Sequence, residues 1–240
     1  MRWLVALLTL LPGLAEAAAC KSVTFEEIPY SVCEAGPGDD LRLFHSGPDG
    51  AYGGFSAVNA ALAAQGQKLL FAMNAGMFQP DLSPVGLYIE DGVEKSPLIT
   101  AKGPGNFGML PNGVFCAGDG FAIYESRRFE NLHPTCRYAS QSGPMLVIKG
   151  DLHPRFLVDS DSRNIRNGVG VSADGKRAVF VISNRPVNFY DFARFFRDGL
   201  GLPDALYFDG SISRMYAPDL GRSGAGFSIG PMVGVVVPRG

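Results

Sequence analysis

The stretch GVGVSADGKRAVFVI, residues 168–182, reads as two apolar strands, Val169 to Ser172 and Ala178 to Ile182, joined through Asp174-Gly175. An Asp-Gly pair supplies positive φ angles, so the spacing predicts a β-hairpin with a type I′ turn. Runs of the same kind recur on both sides. Lys68 to Met73 is short and apolar, and Val85 to Glu90 alternates before turning at Asp91-Gly92. Gly113 to Cys116, Phe121 to Tyr124, Met145 to Ile148, Ala205 to Phe208 and Phe227 to Val237 complete the predicted strands. Two segments read as helices. Gly54 to Ala64 places Phe55, Val58 and Leu62 on one face and stops at Gly66. Asn188 to Asp198 opens on a capping pair, Asn188 and Asp191, buries Phe192, Phe195 and Phe196, and closes at Gly199. Many strands and few helices, in an order that does not alternate, argue for an α+β fold: a single domain of mixed, largely antiparallel β-sheet with a few flanking helices.

Composition narrows the function classes. The chain has 240 residues, and its 31 glycines and 17 prolines favour many turns between short elements. A formal charge of −2 leaves no basic footprint of the kind nucleic-acid binding requires. Residues 1–20, MRWLVALLTLLPGLAEAAAC, carry one early positive charge, a short apolar run and small residues at Ala15, Ala17, Ala18 and Ala19. That pattern is a secretory leader, and its apolar run is well below the ~20 residues that span a bilayer. The expected organisation is a signal peptide over 1–19 and one domain over 20–240, in a periplasmic or secreted protein without a transmembrane segment. Four cysteines in two sequence-local pairs fit an oxidising compartment and favour Cys20–Cys33 with Cys116–Cys136. Lipidation at Cys20 is the alternative, since Ala-Ala-Ala-Cys loosely resembles a lipoprotein cleavage site. His45, His133 and His153 are scattered, so no zinc site is expected.

Chemistry is sought where polar residues interrupt the apolar strands. Phe71-Ala72-Met73 runs into Asn74-Ala75-Gly76-Met77-Phe78, and Tyr138-Ala139-Ser140-Gln141 leads to Ser142-Gly143-Pro144. Leu206-Tyr207-Phe208 ends in Asp209-Gly210-Ser211-Ile212-Ser213-Arg214, and Arg166 precedes Asn167-Gly168. Each is a strand end with a small residue beside a polar one, where a ligand can approach the backbone closely. Singly, each is adequately explained as a turn.

In their order, these pieces resemble the phosphodiester glycosidase family. The matching residues are Asn74-Ala75-Gly76-Met77-Phe78 with Pro84 and Gly86, then Ser142-Gly143-Pro144-Met145-Leu146-Val147 with Gly150. Arg166-x-Gly168-Val169-Gly170 with Asp174-Gly175 follows, and Phe208-Asp209-Gly210-Ser211-x-Ser213-x-Met215-Tyr216 closes the set. The resemblance covers roughly Leu69 to Val237. The chain departs from the family pattern in three places: Ala75 where a second glycine is usual, Gly210-Ser211-Ile212 where a longer glycine run is common, and Arg214 in place of a small residue.

The resemblance implies hydrolysis of a sugar joined through its anomeric carbon to a phosphodiester, with a phosphate-linked sugar as substrate; no cofactor or metal is expected, and a different phosphodiester or glycoside hydrolase with a metal at Asp209 is an alternative. Such a reaction forms an oxocarbenium-like sugar and releases a phosphate monoester. It needs a cation for the phosphate, donors to orient it, and a carboxylate near the anomeric carbon. Arg166 is the candidate cation, with Arg163 and Arg214 as second choices, and Asp209 is the candidate carboxylate. Asn74, Gly76, Ser142, Gly143, Gly210, Ser211 and Ser213 are the candidate substrate-binding residues. Glu90 and Asp174 adjoin turns and are the weaker candidates for a second carboxylate. A non-catalytic protein that keeps the same pocket to hold a glycan or an envelope partner is the rival reading.

Other motifs carry nothing. Gly103 to Gly108 satisfies G-x-G-x-x-G, but no helix follows. Asp159-x-Asp161 starts like a calcium loop, but Arg163 occupies the next ligand place. The Phe192, Phe195, Phe196 stripe reads as core.

Overall fold

Every residue of the strands Asn167–Val171 and Ala178–Ser183 is buried. A sheet buried in this way must be covered on both faces. The computed structural model, which describes residues 18–209 and 211–240, shows what covers it. The two strands pair antiparallel, with Val169 opposite Phe180, at the centre of a seven-stranded sheet. Its order is Ala19–Phe25, Ile28–Ala35, Ala178–Ser183, Asn167–Val171, Asp204–Asp209, Met145–Ile148, Asp151–Leu152. A five-stranded sheet runs Phe121–Glu125, Gly113–Ala117, Tyr138–Ser142, Tyr88–Glu90, Val93–Ser96. Another runs Arg222–Ser223, Met215–Ala217, Gln67–Asn74, Met232–Pro238, Asp40–Phe44.

The three sheets share one core. Phe180 and Phe208 of the first, Phe115 of the second and Phe71 of the third belong to a single cluster of buried residues. Their ring centroids lie 5.5 Å apart for Phe71 and Phe180, 5.8 Å for Phe115 and Phe180, and 6.4 Å for Phe115 and Phe208. Each sheet then turns its outer face to one short helix. Helix α1 (Phe55–Ala63) sets Phe55, Val58 and Leu62 against Leu69, Ala72 and Val236. Helix α2 (Ser126–Leu132) places Phe129 against Val114 and Ala139. Helix α3 (Phe189–Arg194) and the π-helical turn Phe195–Gly199 cover Val179, Val181 and Tyr207 with Phe192, Phe195 and Phe196. The fold is thus dominated by antiparallel sheet, with three short α-helices among the described residues as outer supports, a more β-rich balance than the α+β reading implied.

Several local expectations need correction. Asp174-Gly175 is not a type I′ turn, because only Gly175 has positive φ. Asp174 instead accepts hydrogen bonds from Ser172 Oγ (2.6 Å) and Lys176 N (3.1 Å), which closes a longer loop. Two-residue turns with both φ positive occur at Asp91-Gly92 and at Glu26-Glu27. The last strand starts at Met232, not Phe227, which is exposed. The strand expected from Val85 starts at Tyr88, after Gly86 at φ +83°. Asn188 caps α3, accepting from Asp191 N at 2.8 Å, but the left-handed residue beyond the helical segment is Gly201 rather than Gly199.

The disulfides join Cys20 to Cys33 and Cys116 to Cys136. Cys20 lies directly opposite Cys33 across the N-terminal hairpin, and its sulfur is therefore not free for a lipid. Among the described residues no helix is long and apolar enough to cross a membrane. Residues 1–17, where most of the expected signal peptide falls, and Gly210 lie outside the described residues.

Candidate active site

Five strands from all three sheets bring their ends together. Gln67–Asn74 ends at Asn74, Tyr138–Ser142 at Ser142 and Asp204–Asp209 at Asp209; Asn167–Val171 begins at Asn167, and Met215–Ala217 begins just after Arg214. Asn167 faces Asp209 in one ladder, and Met73 faces Met215 in another.

Asn167 ties these ends together. Its Nδ2 donates to the Asn74 carbonyl at 2.8 Å and to Asn74 Oδ1 at 3.0 Å. Its Oδ1 accepts from the Asp209 backbone N–H at 3.0 Å and lies 3.3 Å from Ser213 Oγ. Ser213 Oγ also lies within reach of the Asp209 carbonyl (2.6 Å) and the Ile165 carbonyl (2.9 Å). Asn74 Oδ1 accepts a second bond from Arg214 N at 2.8 Å. Ser142 Oγ donates to the Phe208 carbonyl at 2.8 Å, pinning the strand one residue before the carboxylate. Asn74, Ser142 and Asn167 are wholly buried and Asp209 nearly so. Buried polar groups are tolerated when paired, and a paired network holds a unique geometry.

One group in the network has no partner among the described residues: Asn74 Nδ2 is buried and meets no acceptor there. The amide cannot be turned to relieve this. A backbone N–H and an amide N–H both point at the Asn74 oxygen, and neither would tolerate an NH₂ in its place. Leaving such a donor unmatched costs about 1–3 kcal/mol.

Arg166 precedes Asn167 and is 1% exposed. Nε donates to the Val187 carbonyl (2.9 Å), Nη2 to the Ser162 carbonyl (2.8 Å) and Nη1 to Tyr207 Oη (3.2 Å), all neutral oxygens. The guanidinium lies 3.7 Å over the Phe189 ring, which stacks in turn on Phe156. Burial pushes the pKa of Arg166 below its usual value. Burial also pushes the Tyr207 phenol far above the usual tyrosine value, with the Arg166 charge opposing and the Asp209 charge adding to the shift.

The other predicted residues fall around this centre. Ser211 is exposed and its N–H donates to Asp209 Oδ1 at 2.9 Å. Arg214 spends its guanidinium on the carbonyls of Gly224 and Phe227, which fixes that loop. Arg163 is exposed and pairs with Asp191 at 3.5 Å. A side chain on Gly76 would press on Ser140 Oγ at 3.0 Å, and one on Gly143 would come 2.5 Å from the Asn112 Cβ. Glu90 is held by Tyr88 and Lys95 and Asp174 by its own loop, so neither joins the network.

Two surface clefts of about 410 and 450 Å³ contain none of Asn74, Ser142, Arg166 and Asp209. In the first, Arg137 is already paired with Asp91, and Arg42 with Asp40 outside the cleft. Convergent chemistry therefore outweighs volume in choosing the site. Among the described residues no group of three His, Cys, Asp or Glu is placed to hold a metal ion. Sequence reasoning missed Asn167 and Tyr207. Asn167 looked like half of an Asn-Gly turn and Tyr207 like an ordinary strand residue; the available signal was that Asn167 follows Arg166 directly and Tyr207 lies two residues before Asp209.

Comparison with known proteins places this geometry in context. Residues 67–235 match the sequence pattern of the phosphodiester glycosidase domain. An uncharacterised Escherichia coli protein, YigE, is 38% identical over 212 residues, 87% of this chain and 82% of its own. Among solved structures, the catalytic domain of zebrafish N-acetylglucosamine-1-phosphodiester alpha-N-acetylglucosaminidase, auto-inhibited by its pro-peptide, superposes with a TM-score of 0.62 at 15% identity, covering 93% of this chain and 85% of that one. A putative exported protein of Burkholderia pseudomallei gives 0.51 at 13% identity, over 87% and 74%. At such identities the two structures bear on the fold alone.

Proposed function

The chain belongs to the phosphodiester glycosidase family, and we propose that it is an exported hydrolase cleaving the bond between a sugar's anomeric carbon and a phosphodiester, on an envelope or extracellular glycan or glycolipid. The observation that carries the reading is a carboxylate and a guanidinium, both buried, at the adjoining ends of two paired strands: Arg166 immediately precedes Asn167, the cross-strand partner of Asp209. Two disulfides fit an oxidising compartment, and residues 1–19 serve as the leader.

The chemistry follows from those two groups. Water adds to the anomeric carbon as its bond to the phosphate oxygen breaks, and a phosphate monoester departs. The phosphate's second pKa is about 6, so it leaves near neutral pH with little help from an acid. The Asp209 carboxylate stabilises positive charge on the sugar or activates the water. Arg166, hydrogen-bonded to Tyr207 Oη, supplies positive potential for the departing phosphate. Asn74, Ser142, Ser211 and Ser213 orient sugar hydroxyls or phosphate oxygens.

The test is a substrate panel. Sugar-1-phosphodiesters should turn over in preference to p-nitrophenyl glycosides and p-nitrophenyl phosphodiesters, with and without chelator. Asp209→Asn should lower the rate by at least about 10²-fold. A protein that binds glycans, turns over none of these, and binds as well with Asp209→Asn is a binding protein, and the enzymatic reading is wrong.

A further inference from the structure

We infer that the Asn74 side-chain amide is a fixed hydrogen-bond donor to an acceptor oxygen of the bound substrate, and that Asn167 is the positioning residue that aims it. The inference deepens the proposed function and rests on it only for the identity of the substrate. Three observations combine. Asn74 Oδ1 is held by Arg214 N and by Asn167 Nδ2, so the amide has one permitted orientation. Asn167 is itself fixed, since its Oδ1 faces the Asp209 N–H and its Nδ2 faces the Asn74 carbonyl. The remaining Asn74 NH₂ is buried without an acceptor among the described residues, in the same network that holds the Asp209 backbone.

A donor fixed this firmly, left unmatched in the network that holds the Asp209 backbone, selects for an oxygen that brings its own lone pair. A phosphate oxygen and a sugar hydroxyl or carbonyl oxygen share that chemistry. A phosphate oxygen gains charge as the anomeric bond breaks, so a contact there grows stronger toward the transition state. A sugar oxygen does not, so a contact there acts mainly on binding.

Asn74→Asp separates the two halves of this side chain. It keeps an oxygen for Arg214 N and Asn167 Nδ2 and replaces only the unmatched NH₂ with an acceptor. Affinities for inorganic phosphate and for N-acetylglucosamine are measured on wild type and variant by calorimetry. The Asn74 side-chain amide signals are followed by ¹H–¹⁵N NMR on the wild-type protein. We expect those signals to move with one of the two probes, and the variant to bind that probe at least tenfold more weakly. Movement with phosphate assigns the phosphate oxygen, and movement with the sugar assigns the sugar.

If neither probe moves the signals, or the variant binds both probes as wild type does, the amide serves a buried water only and the inference is wrong. Should Asn74→Asp fail to fold, the wild-type NMR titration decides alone. Turnover of a sugar phosphodiester with silent Asn74 signals would overturn the inference and leave the function standing. Sugar-induced movement without any turnover would do the reverse. Asn167→Asp supplies the positioning test. It retains an acceptor for the Asp209 N–H but no donor to Asn74, and it should weaken the same probe that Asn74→Asp weakens. Unchanged affinity in that variant would remove Asn167 from the proposal.

Discussion

Replacing Asn167 with leucine tests whether one amide holds the site together. The side chain is wholly buried and of similar size to leucine, so the change removes polarity more than volume. Not every partner is stranded by its loss. Asn74 Oδ1 keeps Arg214 N, and Ser213 Oγ keeps the carbonyls of Asp209 and Ile165. The groups that lose the bond are the Asp209 N–H and the Asn74 carbonyl. At about 1–3 kcal/mol for each unsatisfied buried group, with some local relaxation, the loss should be about 3 kcal/mol. For a chain of this size each kcal/mol moves the thermal midpoint by about 2–4 °C, so the expected fall is about 6–12 °C. Calorimetry gives the midpoint, and urea titration gives the free energy independently. A variant that folds and loses less than about 0.5 kcal/mol would show that the network is incidental.

Other consequences are equally direct. His153 is buried, its Nδ1 accepts from Arg155 N and its Nε2 faces the Leu110 carbonyl, an arrangement suited to the neutral ring. Burial holds its pKa below the usual histidine value, so as pH falls through about 6.5 the unfolded chain takes up a proton that the fold refuses. Stability should therefore fall from pH 7 to 5, by up to about 1.4 kcal/mol per pH unit from this group. His153→Gln should flatten that part of the curve, and parallel curves would refute the assignment. Replacing Cys116 and Cys136 with serine opens a loop with a sequence separation of 20 and should cost about 3 kcal/mol, read as a lower urea midpoint. Gly143→Ala forces a methyl within 2.5 Å of the Asn112 Cβ, and a calorimetric loss of about 1–3 kcal/mol is expected. A neutral Gly143→Ala would mean that the Asn112 backbone yields easily.

Strand-end polarity was legible in the sequence because a polar residue closing an apolar run is a local event. Asn74, Ser142 and Asp209 could be picked out in that way. What each of them touches is not local. Asn167 and Asn74 are 93 positions apart, and Asn167 and Asp209 are 42 apart, so no window of sequence contains either pair. The burial of Arg166 is hidden for the same reason. Its neighbours Val187, Phe189 and Tyr207 come from a loop, a helix and another strand. Glu26-Glu27 has no composition that marks a type I′ turn, yet both residues adopt positive φ where the hairpin sets Cys20 opposite Cys33. The Asp-Gly of the stretch over residues 168–182 misled in the opposite direction, because Ser172 and Lys176 offered Asp174 better hydrogen bonds than a two-residue turn would.

The sequence by itself determined the strand-rich character, the cysteine pairs and the family, because periodicity, spacing and motif order are written along the chain. Only the tertiary structure decided that three sheets share one core and that their ends meet. It also decided that an asparagine outside the predicted set joins them, because hydrogen bonds between distant strands depend on register and burial, which the folded chain alone defines.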